Sequence, residues 1–315
     1  MTLKAYVALH GRQFGTLFGL FVLCAVMWVM TPHFLTVSNL LNVAEQTAII
    51  AIIAAGMTFV IITAGIDLSV GSVLAFSGVV LASLLQKGVP LVPALAIGIG
   101  VGFFTGVLNG LLITIGRLPP FIATLGMMSV ARGAALLYTG GRPISGFSDS
   151  FRYLATGKPL GIPMPVLAML AIFFMAYFLL TKTKLGRYTY AIGGNEEATI
   201  LSGVNVRLYK TLIYGICGGL AGLAATILTA RLNSAQPIAG MNYELDAIAA
   251  TVIGGTSLMG GEGHVFGTLI GALIIGVLRN GLTLLNISSF AQQIIIGLVI
   301  IVAVLLDMAL KKSRR

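Results

Sequence analysis

Apolar runs of near-membrane length, separated by short polar breaks, fill this chain from end to end. A helical crossing of the bilayer core needs about 20 consecutive apolar residues. Ten such runs are legible, near 14–30, 43–64, 67–86, 91–115, 119–139, 163–181, 211–230, 244–258, 265–285 and 290–309. Glycine blurs the third and eighth, and the eighth is short. Short or glycine-broken spans in matching places of two halves can mark a transport path. The pattern predicts an all-α integral membrane protein of about ten transmembrane helices, forming one domain over residues 1–315. Five spans per half allow an inverted repeat, with halves 1–140 and 163–315. Ile-Asp-Leu around Asp67 and Leu-Asp-Ala around Asp246 hint weakly at it.

Composition strengthens the membrane reading. Hydrophobic residues make up 57% of the chain and charged ones 9%, against about 25% charged in soluble domains. The net charge of +10 reflects loops that fix orientation rather than nucleic-acid binding. Twelve Lys/Arg fall on the side of the termini: Lys4, Arg12, Arg117, five in the 181–210 loop and four in the C-terminal tail. Six fall opposite, at Lys87, Arg142, Arg152, Lys158, Arg231 and Arg279, and Arg132 is left within a span. The positive-inside rule places both termini in the cytoplasm and makes 140–163 the largest external loop, a structured cap. The first run follows Lys4 and Arg12 as a signal sequence would. It approaches full span length and no small-residue cleavage site follows, so it reads as an uncleaved span.

One long polar stretch interrupts the spans: 181–210, TKTKLGRYTYAIGGNEEATILSGVNVRLYK. Gly193 and Gly194 break the chain. Asn195 is placed as an N-cap whose side chain takes an orphan backbone N–H. Glu196 and Glu197 follow in the first turn, where the helix dipole favours negative charge. Gly203 is placed to close the helix in the left-handed conformation. Ala198, Leu201 and Ile200 would form a small apolar face. Two turns are not stable alone in water, so this helix must dock, either on lipid headgroups or in a soluble partner.

Glycine is abundant, with 40 residues. Gly98, Gly102, Gly106 and Gly110 recur every fourth position, and Gly215/Gly219, Gly218/Gly222 and Gly267/Gly271 repeat the spacing. Such faces let helices approach closely. Polar groups in spans are costly and often functional. Asp67 and Ser69 in AGIDLSVGS, and Asp246 in YELDAIAA, are candidates to line a translocation path, with helix capping as the plainer role. Cys24 and Cys217 lie in apolar runs and imply neither disulfide nor metal. The glycine-rich 254–263 turn lacks the Lys-Ser/Thr of a phosphate loop and reads as a flexible connection. Nothing points to a catalytic set, a cofactor or a nucleotide site. An ion-driven carrier needs ionisable groups at mid-membrane. The acids here cluster at span ends, which favours a docked energy source over an ion-coupled secondary transporter.

Five segments carry a family resemblance: GMTFVIITAGIDLSVGSVLAFSG (56–78), PPFIATLGMMSVARG (119–133), LGRYTYAIGGNEEATILSGVNV (185–206), SAQPIAG (234–240) and ELDAIAATVIGGTSLMGGEGHVFGTLIGALIIG (244–276). Over nearly its whole length the chain resembles the sugar permeases of bacterial ABC importers, those for ribose most closely. The resemblance implies a multi-pass protein of the bacterial inner membrane carrying ribose. Another pentose, a hexose or a furanose-like signalling molecule is the alternative within the family. It further implies an ATPase with two fused nucleotide-binding domains, a periplasmic sugar-binding protein and a second permease copy in a homodimer, or a related permease in its place. The family's ATPase-coupling loop maps onto Gly193, Gly194, Asn195, Glu196, Glu197, Ala198, Ser202 and Gly203, with Leu201 on the apolar face. Glu197 stands where that motif would have a small residue.

Overall fold

The computed structural model describes residues 3–312. Arg314 and Arg315 of the basic tail lie outside the described residues. The described residues form thirteen α-helices: α1 (Leu3–Met30), α2 (Val37–Ile62), α3 (Val70–Gln86), α4 (Leu91–Thr114), α5 (Pro120–Thr139), α6 (Asp149–Thr156), α7 (Met164–Lys182), α8 (Lys184–Gly194), α9 (Glu196–Leu201), α10 (Val206–Leu232), α11 (Tyr243–Ile253), α12 (Val265–Leu284) and α13 (Ser289–Lys312). Two short strands, β1 (Ile144–Ser145) and β2 (Ser234–Ala235), pair antiparallel.

Six helices among the described residues are long and apolar enough to cross a membrane: α2, α4, α5, α7, α10 and α12. Shorter apolar stretches lie in α1, α3 and α13. The eighth expected span differs most from the sequence pattern. Its helix, α11, has 11 residues, about 16 Å at 1.5 Å per residue. That is half of a hydrocarbon core of about 30 Å. Gly254 and Gly255 end it, the latter at φ 93°, where a side chain would be strained.

The core is built around α2. Every residue from Ala51 to Ile62 is buried, and α10, α12, α11 and α7 surround it. A helix that is apolar on all sides belongs in such a place. The most extensive helix pairing joins α4 to α10, and the glycine spacing explains it. A Cβ at Gly102 would overlap the carbonyl of Gly218, one at Gly106 the carbonyl of Tyr214, and one at Gly110 the backbone of Thr211. Gly267 and Gly271 do the same for α12 against α11.

The two ends of the bundle are distinct. At one end lie the C-termini of α2 and α4, the N-terminus of α10, α8, α9 and the 254–263 turn. At the other lie β1, β2 and α6, whose Phe151 is fully buried against Leu81, Ala94 and Ala230. The 140–163 segment, expected as a cap or docking surface, carries β1 and α6 and is structured. The 254–263 turn is tied down rather than a loose connection. Gly261 N–H donates to the Ile62 carbonyl at 2.8 Å, Ser257 N–H to the Glu262 carbonyl at 3.0 Å, and Tyr190 Oη to the Gly263 carbonyl at 2.7 Å.

Candidate functional site

The polar loop folds as its caps dictate. Asn195 Oδ1 accepts from the Ala198 N–H at 2.9 Å, and α9 runs over Glu196–Leu201 with both glutamates in its first turn. Ser202 caps it and Gly203 follows at φ 81°, the left-handed exit that glycine permits. Glu196 and Glu197 are exposed, and Glu196 reaches Lys210 of α10 at 2.5 Å. The apolar residues of α9 do not face the protein. Leu201 is 88% exposed and Ile200 54%, while Thr199 is the residue turned inward.

Besides the Tyr190 bond to Gly263, the loop bears on the core at two further places among the described residues. Lys210 is one. Gly193 is the other, since a Cβ there would overlap the Ile62 carbonyl and the Gly261 amide. Gly194 sits beside Gly261 with open space around its own Cβ position. The loop therefore bears directly on the C-terminus of α2, the most buried of the six long apolar helices. Beside α9 opens a cavity of about 520 Å³ whose lining includes Arg117, Glu196, Arg207 and Lys210.

Asp67 and Ser69 bond to each other, Asp246 bonds elsewhere, and none of the three is a helix N-cap through its side chain. Ser69 occupies the N-cap position of α3 without capping it. Asp67 is fully buried, and its Oδ1 accepts from Ser69 N–H at 2.9 Å and Ser69 Oγ at 2.6 Å. Asn109 Nδ2 of α4 donates to Ser69 Oγ at 2.9 Å. Asp67 Oδ2 and Asn109 Oδ1 take no hydrogen bond among the described residues. Asp246 lies within α11 and pairs with Arg279 of α12 at 2.7 Å. Among the described residues, no group of three or more His, Cys, Asp or Glu is placed to hold a metal.

Two irregular segments enter the bundle, residues 63–69 beyond α2 and residues 236–242 ahead of α11. The second of them packs on the first turn of α3, where a Cβ at Gly71 would overlap the Gly240 carbonyl and the Glu244 carboxylate. Arg132, near the middle of α5, donates from Nη1 to the carbonyls of Pro237 and Ala239, each at 2.8 Å. Sequence reasoning left Arg132 as an unexplained charge within a span. That isolated charge was the available signal, because an intramembrane arginine needs a partner. The pairing of Lys210 with Glu196, fourteen residues apart, had no such signal.

Many apolar crossings around a buried central helix, with one capped helix projecting from one end, define a multi-pass membrane permease. The chain belongs to the family described as "Branched-chain amino acid transport system / permease component", whose model matches residues 39–304. It is 51% identical over 296 residues to the ribose import permease protein of Escherichia coli K12, covering 93% of this chain and 92% of the relative. The ribose import permease protein of Bacillus subtilis 168 is also 51% identical, over 298 residues, 94% of this chain and 92% of that one. The D-allose transport system permease protein of Escherichia coli K12 is 40% identical over 307 residues, 97% and 94% respectively. These relatives are transport permeases rather than enzymes. No solved structure matches the chain.

Proposed function

We propose that this chain is the membrane-spanning subunit of an ATP-driven ribose importer of the bacterial inner membrane. An ATPase with two fused nucleotide-binding domains docks on α9, and a periplasmic sugar-binding protein delivers ribose to the opposite face, where the 140–163 cap lies. Both termini and α9 are cytoplasmic. The chain makes ten crossings, residues 233–253 supplying one of them as a broken, half-helical segment. A five-helix inverted repeat is part of this reading, with an irregular segment in each half.

The observation that carries the reading is the exposure of Leu201 and Ile200 on a capped helix anchored to the core. Exposed apolar side chains on a helix too short to persist alone call for a docked partner. Gly193, Gly194, Asn195, Glu196, Glu197, Ala198, Leu201, Ser202 and Gly203 form the coupling element. A closing ATPase dimer pushes α9, and the push reaches α2 through Gly193 and α10 through Lys210. Rocking of the bundle then alternates access to a path beside the broken segments. Asp67 and Ser69 brace one segment there, and Asp246 braces the helix that follows the other.

The second copy packs along α5. Its outward face carries Gly126 and Gly133, and a Cβ at either would meet nothing within 4 Å. Small residues on an uncovered face allow close helix approach. Co-reconstitution with the ATPase and binding protein tests the reading. Ribose-loaded binding protein stimulates ATP hydrolysis; stimulation by a different sugar reassigns the cargo, and none by any sugar rejects the reading.

A further inference from the structure

The geometry points to a transient sugar-binding station in the cavity of about 310 Å³ between α3, α5 and residues 241–244. It rests on the sugar-permease reading and adds to it the residues that would touch the cargo. Arg132 and Glu244 both line this cavity and both are half-buried. Arg132 lies on α5 at mid-span, where a charge cannot face hydrocarbon without a large cost. The backbone of 236–242 is irregular where it meets Arg132, and irregular backbone at membrane depth occurs only inside protein or along a water-filled cavity. The open cavity gives the guanidinium and this backbone a polar surface to line on this flank.

The lining suits a neutral polyol. Arg132 Nη1 is committed to the carbonyls of Pro237 and Ala239, which fixes the guanidinium and leaves its other N–H groups to donate. Glu244 offers a carboxylate opposite in charge, so the cavity has no net charge to favour an anion. Ser72, Ser129 and the Asn242 amide both donate and accept, matching hydroxyls that also do both. Met128 and Met241 add apolar surface against which a sugar ring can lie. The volume is at the lower end for small-molecule sites, about 300 Å³, which fits a monosaccharide. Asn242 stands at φ 67°, a left-handed position that asparagine tolerates.

The test uses the full complex in proteoliposomes with a Ser129→Cys substitution in a Cys24→Ser, Cys217→Ala background. A charged, membrane-impermeant thiosulfonate is the probe. The introduced thiol is expected to react at least tenfold faster than the background protein, and D-ribose to slow the reaction at least threefold while leucine does not. An unreactive thiol, equal rates with and without ribose, or protection by leucine alone overturns the site. Ser129→Leu fills the cavity from an exposed helix position and is expected to cut ribose uptake at least tenfold with the melting temperature unchanged. Unchanged uptake contradicts the proposal. The unsubstituted complex separates the two levels: ATP-driven ribose uptake without ribose protection rejects this station alone, whereas no ATP-driven ribose uptake rejects the permease reading beneath it.

Discussion

Lys210 Nζ lies 2.5 Å from Glu196 Oε2, and this pair ties α9 to the first turns of α10. The lysine side chain is 11% exposed and the glutamate 46%. Water screens the glutamate side, so the coupling is worth about 1 kcal/mol. Removing only the glutamate leaves an ammonium with little solvent. Glu196→Gln is therefore expected to lower the melting temperature more than the Lys210→Met, Glu196→Gln double substitution does. Additive losses in a double-mutant cycle would mean that the two residues do not interact.

Gly193 carries the second link. Alanine there would collide with the Ile62 carbonyl and the Gly261 amide, and neither is a flexible side-chain end. Gly193→Ala is expected to separate ATP hydrolysis from transport, lowering the sugar moved per ATP at least fivefold. Parallel measurement of both rates in one vesicle preparation checks this. Equal losses in the two rates would point to a docking defect instead.

The α4–α10 contact gives a stability prediction with an internal control. A side chain at Gly102 overlaps Gly218, whereas one at Gly100, on the same helix, meets nothing within 4 Å. Gly102→Val is expected to cost about 1–3 kcal/mol, the usual range for overpacking, and Gly100→Ala none. Thermal unfolding in detergent compares them directly.

Asp67 has one carboxylate oxygen without a hydrogen bond, and Asn109 Oδ1 nearby is in the same position. An asparagine keeps the shape, removes the buried acid and adds a donor. Asp67→Asn is expected to leave stability within about 1 kcal/mol of the parent, while Asp67→Ala loses the anchor of Ser69 and costs about 1–3 kcal/mol. A destabilisation by asparagine as large as that by alanine would show that the negative charge itself is needed.

Much of this architecture is written locally. The α9 caps, Asn195 and Gly203, are short-range signals, and each acts where its chemistry requires. The α4 glycines announce a close contact, though not that α10 would fill it. Hydropathy fails at 244–258 because an apolar segment can be buried by its neighbours without being one continuous helix. Only the structure shows that Gly240 packs on Gly71 in the first turn of α3. Arg132 was visible as an anomaly, but its partners are carbonyls more than a hundred residues away. Backbone acceptors have no side-chain signature by which sequence could name them.

Leu201 offers the most direct measurement. Proteoliposomes holding this chain, the ATPase and the sugar-binding protein are compared with vesicles lacking the ATPase, and with vesicles carrying Leu201→Asp. Ribose should accumulate only with the ATPase and ATP, and Leu201→Asp should reduce uptake more than tenfold, as loss of a docking anchor of at least 2 kcal/mol implies, while membrane insertion is retained. Accumulation without the ATPase, or full uptake with aspartate at this position, would contradict the role assigned to α9.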